Sequence, residues 1–265
     1  MKKIMSVVLA VICLLAVTGF GDKANPSDGT FRQEASAKKV LRVGTAVDYP
    51  PFAYYQEASK THIGFDVELM QGLAREMGYD KVEFVNTGFN DLLPSLQAGK
   101  VDAVISCMTV TEERRKVADF TETYLEGVTS VAVAPFGTES RSADAMKGKR
   151  IAAEAGSVHA RLAKQYSGAV IECGSAEEAL KLVLDKKADF AVMDNYTARF
   201  YIANFYRDSL HLMTEWPGNK ESGIGIAVAK GNKEMLDKLN GALQNYRDTA
   251  AYYHIKRSYF GRLEV

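Results

Sequence analysis

Three polar residues stand where they can recognise a charged ligand: Thr109 and Arg114 in "SCMTVTEERRKVADF", and Asp194 at the end of "DFAVMD". A short helix is predicted to start at Thr111, a good capping residue, which places Arg114 in its first turn. A cation there faces the positive end of the helix dipole, at a cost of about 0.3–1 kcal/mol. The placement makes sense if the first-turn amides and the guanidinium converge on one anion, because an arginine fork matches a carboxylate bidentately. A second helix start follows "AGS", where amides at Gly156 and Ser157 can meet the same anion. Asp194 ends its strand as an acceptor suited to an ammonium. One carboxylate holder and one ammonium holder facing each other describe a site for an α-amino acid. The plainer alternative is that Arg114 pairs with Glu112 or Asp119 on the surface.

Other chemistries find less support. His62, His159, His211 and His254 are scattered, and no cysteine spacing resembles a metal site, so neither a metal nor another cofactor is expected. Lys+Arg and Asp+Glu are both 33, and this zero net charge gives no reason to expect nucleic acid. At the N-terminus, "MKK" precedes the apolar run "IMSVVLAVICLLAV", which has signal-peptide length and is short for a membrane span. Gly19-Phe20-Gly21 offers a cleavage site, so residues 1–21 read as a signal for export to the periplasm or the extracytoplasmic surface. Phe20 stands where a lipoprotein signal needs cysteine. Residues 22–38 are polar and aperiodic, and read as a disordered leader. Cys13 leaves with the signal, while Cys107 and Cys173 remain in an oxidising compartment.

From Lys39 onward, strand and helix alternate. "VLRVGTA", "KVEFVN" and "VDAVIS" read as strands, interleaved with helices "GFDVELMQGLAREMG", in which Asp66 is a plausible cap, and "FNDLLPSLQAG". The pattern restarts after "VTSVAVAP". "KRIAAEA", "AVIEC" and "DFAVMD" are strands; "SVHARLAKQY", "SAEEALKLVLDKK" and "NYTARFYIANF" are helices. "GIGIAVAKGN" returns to strand, and a long helical pattern closes the chain. This is an α/β chain with mostly parallel sheets flanked by helices. "LQAGKVDAVISC" and "VLDKKADFAVMD" superpose without a gap, with Asp102 over Asp189 and Cys107 over Asp194. Two such units facing each other form a cleft at strand C-terminal ends, a favoured ligand site.

These motifs resemble the bacterial extracellular solute-binding proteins for polar amino acids. "LRVGTAVDYPPF", "IGFDVELM", "DLLPSLQAGKVDAVIS", "MTVTEERRKVADFTETY", "MKGKRIAAEAGS", "KKADFAVMDN" and "GIGIAVAKGN" carry the likeness, over Lys39 to Gly261. The resemblance implies a two-lobed, type II periplasmic-binding-protein fold whose lobes close on ligand. Lobe 1 takes 39–127 plus 222–265, lobe 2 takes 128–221, and the crossings lie near Gly127 and Ser222. It implies a monomeric receptor, not an enzyme, that passes an amino acid to a membrane ABC permease.

By the same resemblance, Arg114 clamps the α-carboxylate, with Thr109, Ser157 and Val158 assisting. The family often has Thr at the position of Val158, so one hydroxyl is missing here. Asp194 holds the α-ammonium together with the Cys107 carbonyl, and Tyr49 and Phe89 sandwich the ligand side chain. There are two departures. Ala46 occupies the place of an aspartate that reaches the distal end of the ligand. Glu154 stands where a neutral residue is common, either reading a cationic or amide tip or lying solvated outside the cleft. An enzymatic branch of the fold resembles cyclohexadienyl dehydratase and uses a glutamate three residues after the site aspartate; here that residue is Thr197. A membrane-fused sensor is disfavoured, since no second apolar span is seen before Val265.

Overall fold

The computed structural model describes residues 38–216 and 223–263. The expected signal, the leader up to residue 37 and the crossing at Ser222 lie outside them. The first strand, β1 (Val40–Thr45), is followed by three short strands, β2 (Asp48–Tyr49), β3 (Ala53–Gln56) and β4 (Thr61–Ile63), that form a small antiparallel sheet. Next come α1 (Phe65–Glu76), β5 (Lys81–Asn86), α2 (Leu92–Gln97), β6 (Ala103–Val104), α3 (Glu112–Arg115) and β7 (Ala118–Phe120). The second unit runs β8 (Ser130–Pro135), β9 (Ile151–Glu154), α4 (Val158–Tyr166), β10 (Val170–Cys173), α5 (Ala176–Leu184), β11 (Phe190–Asp194), α6 (Asn195–Tyr201) and β12 (Leu210–Trp216). The chain then adds β13 (Ala227–Ala229), α7 (Lys233–Arg247) and α8 (Ala250–Phe260).

Two five-stranded sheets result, ordered β5-β1-β6-β13-β7 and β10-β9-β11-β8-β12. In the first, β1 runs parallel to β5 and β6, while β13 returns antiparallel to β6 and β7. In the second, β9 runs parallel to β10 and β11, and β8 lies antiparallel to β11 and β12. The central strands are apolar because helices cover both faces. α2 packs Leu92 and Leu96 onto Val104, and α4 packs Ala163 near Ile151 and Phe190. A larger cluster, including Leu41, Phe65, Val131 and Ala191, joins the rest.

The repeat seen in the sequence has a physical counterpart. Asp102 accepts from the backbone and guanidinium of Arg42, and Asp189 does the same for Arg150. Each aspartate amide in turn donates to its arginine's carbonyl at 2.8 Å. The same carboxylate thus pins the entry of a β-strand in both halves.

Several local expectations are corrected. Asp66 does not cap α1: Gly64 does, at φ 133°, where a Cβ would collide with the Phe52 carbonyl. Asp66 is fully buried instead. The strand expected over "VDAVIS" shrinks to Ala103–Val104. The closing helical pattern breaks in two, because Thr249 caps α8 by accepting from the Tyr252 amide. The helix starting at Asn195 continues past Tyr201 as a π-helix over Ile202–Tyr206.

Candidate ligand-binding site

A cavity with about 330 Å³ of empty space is lined by all nine residues singled out from the sequence: Tyr49, Phe89, Cys107, Thr109, Arg114, Glu154, Ser157, Val158 and Asp194. Ala46, Ser106 and His159 complete the wall. Its walls come from both halves of the chain.

Arg114 sits in a single helical turn, where no long dipole opposes it. Thr111 caps that turn by accepting from the Arg114 amide at 3.2 Å. The side chain is buried rather than paired on the surface with Glu112 or Asp119; the Asp119 carboxylate instead takes Lys230. The guanidinium donates to the Thr109 carbonyl at 2.6 Å and to the Gly156 carbonyl at 3.2 Å, linking the two halves. It lies 5.1 Å from the Phe89 ring centroid, a cation–π contact that steadies it from one face. Burial, with the nearby charge of Arg161, brings its pKa down to about 10, while Asp194 and Glu154 oppose that fall. Among the described residues no carboxylate forms an ion pair with it. A buried cation held by carbonyls and a ring face alone is poised for an anion.

The turn from β9 into α4 faces this guanidinium. Ser157 caps α4 by accepting from the Ala160 amide, and its own hydroxyl donates to the Glu154 carbonyl at 2.6 Å. Gly156, at φ 70°, abuts the Asn90 side chain so closely that a Cβ would collide with it. Only glycine fits between the halves at this point without displacement.

Asp194 forms the opposite pole and is buried. Three groups reach its Oδ2: the Tyr49 hydroxyl at 2.6 Å, His159 Nε2 at 3.3 Å and the Cys107 thiol at 3.5 Å. Burial, and then Asp194, push both the Tyr49 phenol and the Cys107 thiol well up, so both remain protonated donors. The thiol is therefore not incidental to the site, since it bonds the aspartate. Cys107 itself sits at φ 46°, held by its amide donating to Asp66 Oδ2 at 2.8 Å. Its thiol meets Asp194, the position over which the sequence repeat placed it.

Glu154 lines the cavity and is 7% exposed, so the solvated alternative does not describe it. Burial, Asp48 and Asp194 raise its pKa to about 8, against the pull of Arg114.

His159 escaped the sequence reading. Its Nδ1 is bonded to Ser130 Oγ at 3.0 Å, and β8 sets Ser130 opposite Asp194 in the antiparallel ladder. The available signal was its place in the first turn of the helix capped by Ser157. Asp66 was missed as well, because its reach to Cys107 spans 41 positions of sequence. Thr197 is fully buried, its hydroxyl has no partner among the described residues, and it does not line the cavity. It offers no acid for the dehydratase chemistry. Among the described residues no cluster suited to a metal ion occurs, and no helix is long and apolar enough to cross a membrane.

Comparison with known proteins identifies the family. The chain is 29% identical over 265 residues to the arginine-binding extracellular protein ArtP of Bacillus subtilis, covering 98% of both chains. It is 32% identical to ABC transporter arginine-binding protein 1 of Escherichia coli, covering 87% of this chain and 95% of that one. The structure of an ancestral arginine-binding protein bound to arginine superposes with a TM-score of 0.79 at 33% identity, covering 84% of this chain and 99% of the other. This chain shares with its structural neighbours the two-lobed, type II periplasmic-binding-protein fold. The model of the bacterial extracellular solute-binding proteins, family 3, matches residues 41–262, nearly all of the described structure, and the chain belongs to that family.

Proposed function

We propose that the protein is an exported receptor that captures an α-amino acid with a cationic side chain and delivers it to an ABC importer, without chemical change. The carrying observation is the charge inventory of the cavity. One buried guanidinium, Arg114, faces two buried carboxylates, Asp194 and Glu154. An α-carboxylate, an α-ammonium and a side-chain cation neutralise these in turn. A neutral amino acid leaves Glu154 without a partner, and ionised it is costly to bury. The arginine-binding relatives support the same ligand class. Tyr49 and Phe89 flank the path of the side chain.

Closure follows from where the contacts fall. Lobe 1 (39–127 plus 222–265) supplies Tyr49 and Arg114, and lobe 2 (128–221) supplies Gly156, Glu154 and Asp194. A ligand touching both is held fully only when the lobes meet, so binding shifts the population toward the closed form.

The test is a thermal-shift screen of ligand-stripped protein against the twenty amino acids and cystine. Arginine, lysine or histidine should give the largest upward shift. A larger shift with leucine or glutamate would overturn the cationic specificity, and no shift with any of them would overturn the receptor reading.

A further inference from the structure

A second concavity, with about 1040 Å³ of open space, shares no lining residue with the first. Tyr54 and Tyr55 on β3 form one wall. Phe200, Tyr201, Phe205 and Tyr206, from α6 and its π-helical continuation, form the other. The rings touch in series. Tyr54 and Phe200 have centroids 5.7 Å apart, Phe200 and Phe205 6.3 Å, and Phe205 and Tyr206 6.2 Å. Tyr201 and Tyr206 stack at 6.4 Å with an interplanar angle of 20°. They are five residues apart, a spacing that an α-helix rotates by about 140°. The π-helix brings them over one another, and such turns recur at functional sites. Phe205 is 65% exposed and Tyr55 42%, an aromatic surface left facing solvent.

The groove is also anionic. Asp48, Glu57 and Glu177 line it, and no lining residue is cationic. Glu177 is already paired with Lys181 at 2.6 Å. The concave surroundings, and then the charge of Glu177, raise the Asp48 carboxyl. The groove therefore favours a positive charge, and it presents six aromatic side chains to it. A primary ammonium brings three donors that need partners. A methylated ammonium brings few or none, and is attracted directly by the ring faces.

We propose that this groove is a second ligand site that binds a methylated ammonium cation between the β3 tyrosines and the π-helical aromatics. It is separate from the amino-acid site. It contains no guanidinium, so its occupant needs no carboxylate.

The experiment is calorimetric titration of choline into the full chain, alongside its uncharged isostere 3,3-dimethylbutan-1-ol. Choline should bind at least tenfold more tightly than the isostere. Phe205→Ala and Asp48→Asn, checked for folding by circular dichroism, should each weaken choline at least fivefold. Excess arginine should not weaken choline binding, because arginine favours the closed form in which the two walls of the groove meet. Equal binding of the isostere, no binding of choline, or an unaltered affinity in Phe205→Ala would overturn the proposal. Competition by arginine would place the cation in the inner cavity and overturn it too. A chain that binds choline but no amino acid would refute the proposed function and leave the groove standing.

Discussion

The hydroxyl of Tyr49 lies 2.6 Å from Oδ2 of Asp194, joining β2 to the last residue of β11 across 145 positions of sequence. The phenol is held protonated, so it is the donor. One residue thus lines the cavity and ties together the two halves on either side of it.

Tyr49→Phe keeps the ring and removes a hydrogen bond to a charged group, worth about 1.5–3 kcal/mol. The ligand-free chain should then shift toward an open form, with a larger radius of gyration in small-angle X-ray scattering. Saturating ligand should restore the compact value. An unchanged radius in the ligand-free variant would show that this bond does not hold the lobes together.

Arg114→Ala should abolish amino-acid binding while the fold survives. Removing one partner of a buried ion pair costs about 3–5 kcal/mol, a loss of hundreds-fold or more in affinity. Titration calorimetry measures it, and near-wild-type affinity would remove Arg114 from the site.

Asp194→Asn should weaken binding strongly, and N-acetylated ligands should fail on the wild type. Both follow if Asp194 receives a free ammonium. An N-acetyl amino acid that binds as well as its parent would rule out that role.

Burial raises Glu154 to about 8 and Asp66 to about 7. Both therefore hold a proton in the folded chain at pH values where the unfolded chain has lost it. This contribution to ligand-free stability is full below the ordinary values, 3.8 for Asp66 and 4.5 for Glu154, and fades as the pH rises toward 7 and 8 respectively. The melting temperature should fall between pH 5 and 8 by about 2–4 °C per kcal/mol lost, less steeply in Glu154→Gln. A cationic ligand favours ionised Glu154, so its affinity should climb over the same window. In Glu154→Gln that climb should flatten, and arginine should lose most of its advantage over glutamine. An unchanged preference order would sink the assignment.

Cys107 and Cys173 are both buried and unbridged. Thiol counting on unfolded, unreduced mature protein should find two free thiols. Finding none in a monomer would mean that a bond between the halves fixes the lobes in one state.

The sequence by itself determined the alternation of strands and helices, the repeat that places Asp102 over Asp189, the cap at Thr111 and the helix start at Ser157. These are local properties: periodicity, turn residues and side chains that reach only a few positions. It also marked Arg114 and Asp194, one in a helix's first turn and one at a strand's end, where charge is hard to explain locally. Only the tertiary structure decided the rest. Asp66 looked like a helix cap, yet it holds the Cys107 amide, a partner 41 positions away. Glu154 fitted a solvated edge or a cavity wall equally well until the second sheet buried it. His159 drew no notice until β8 brought Ser130, and β11 brought Asp194, to its two nitrogens. Burial and pairing across the cleft depend on how the two halves meet, and no stretch of sequence a few residues long contains that information.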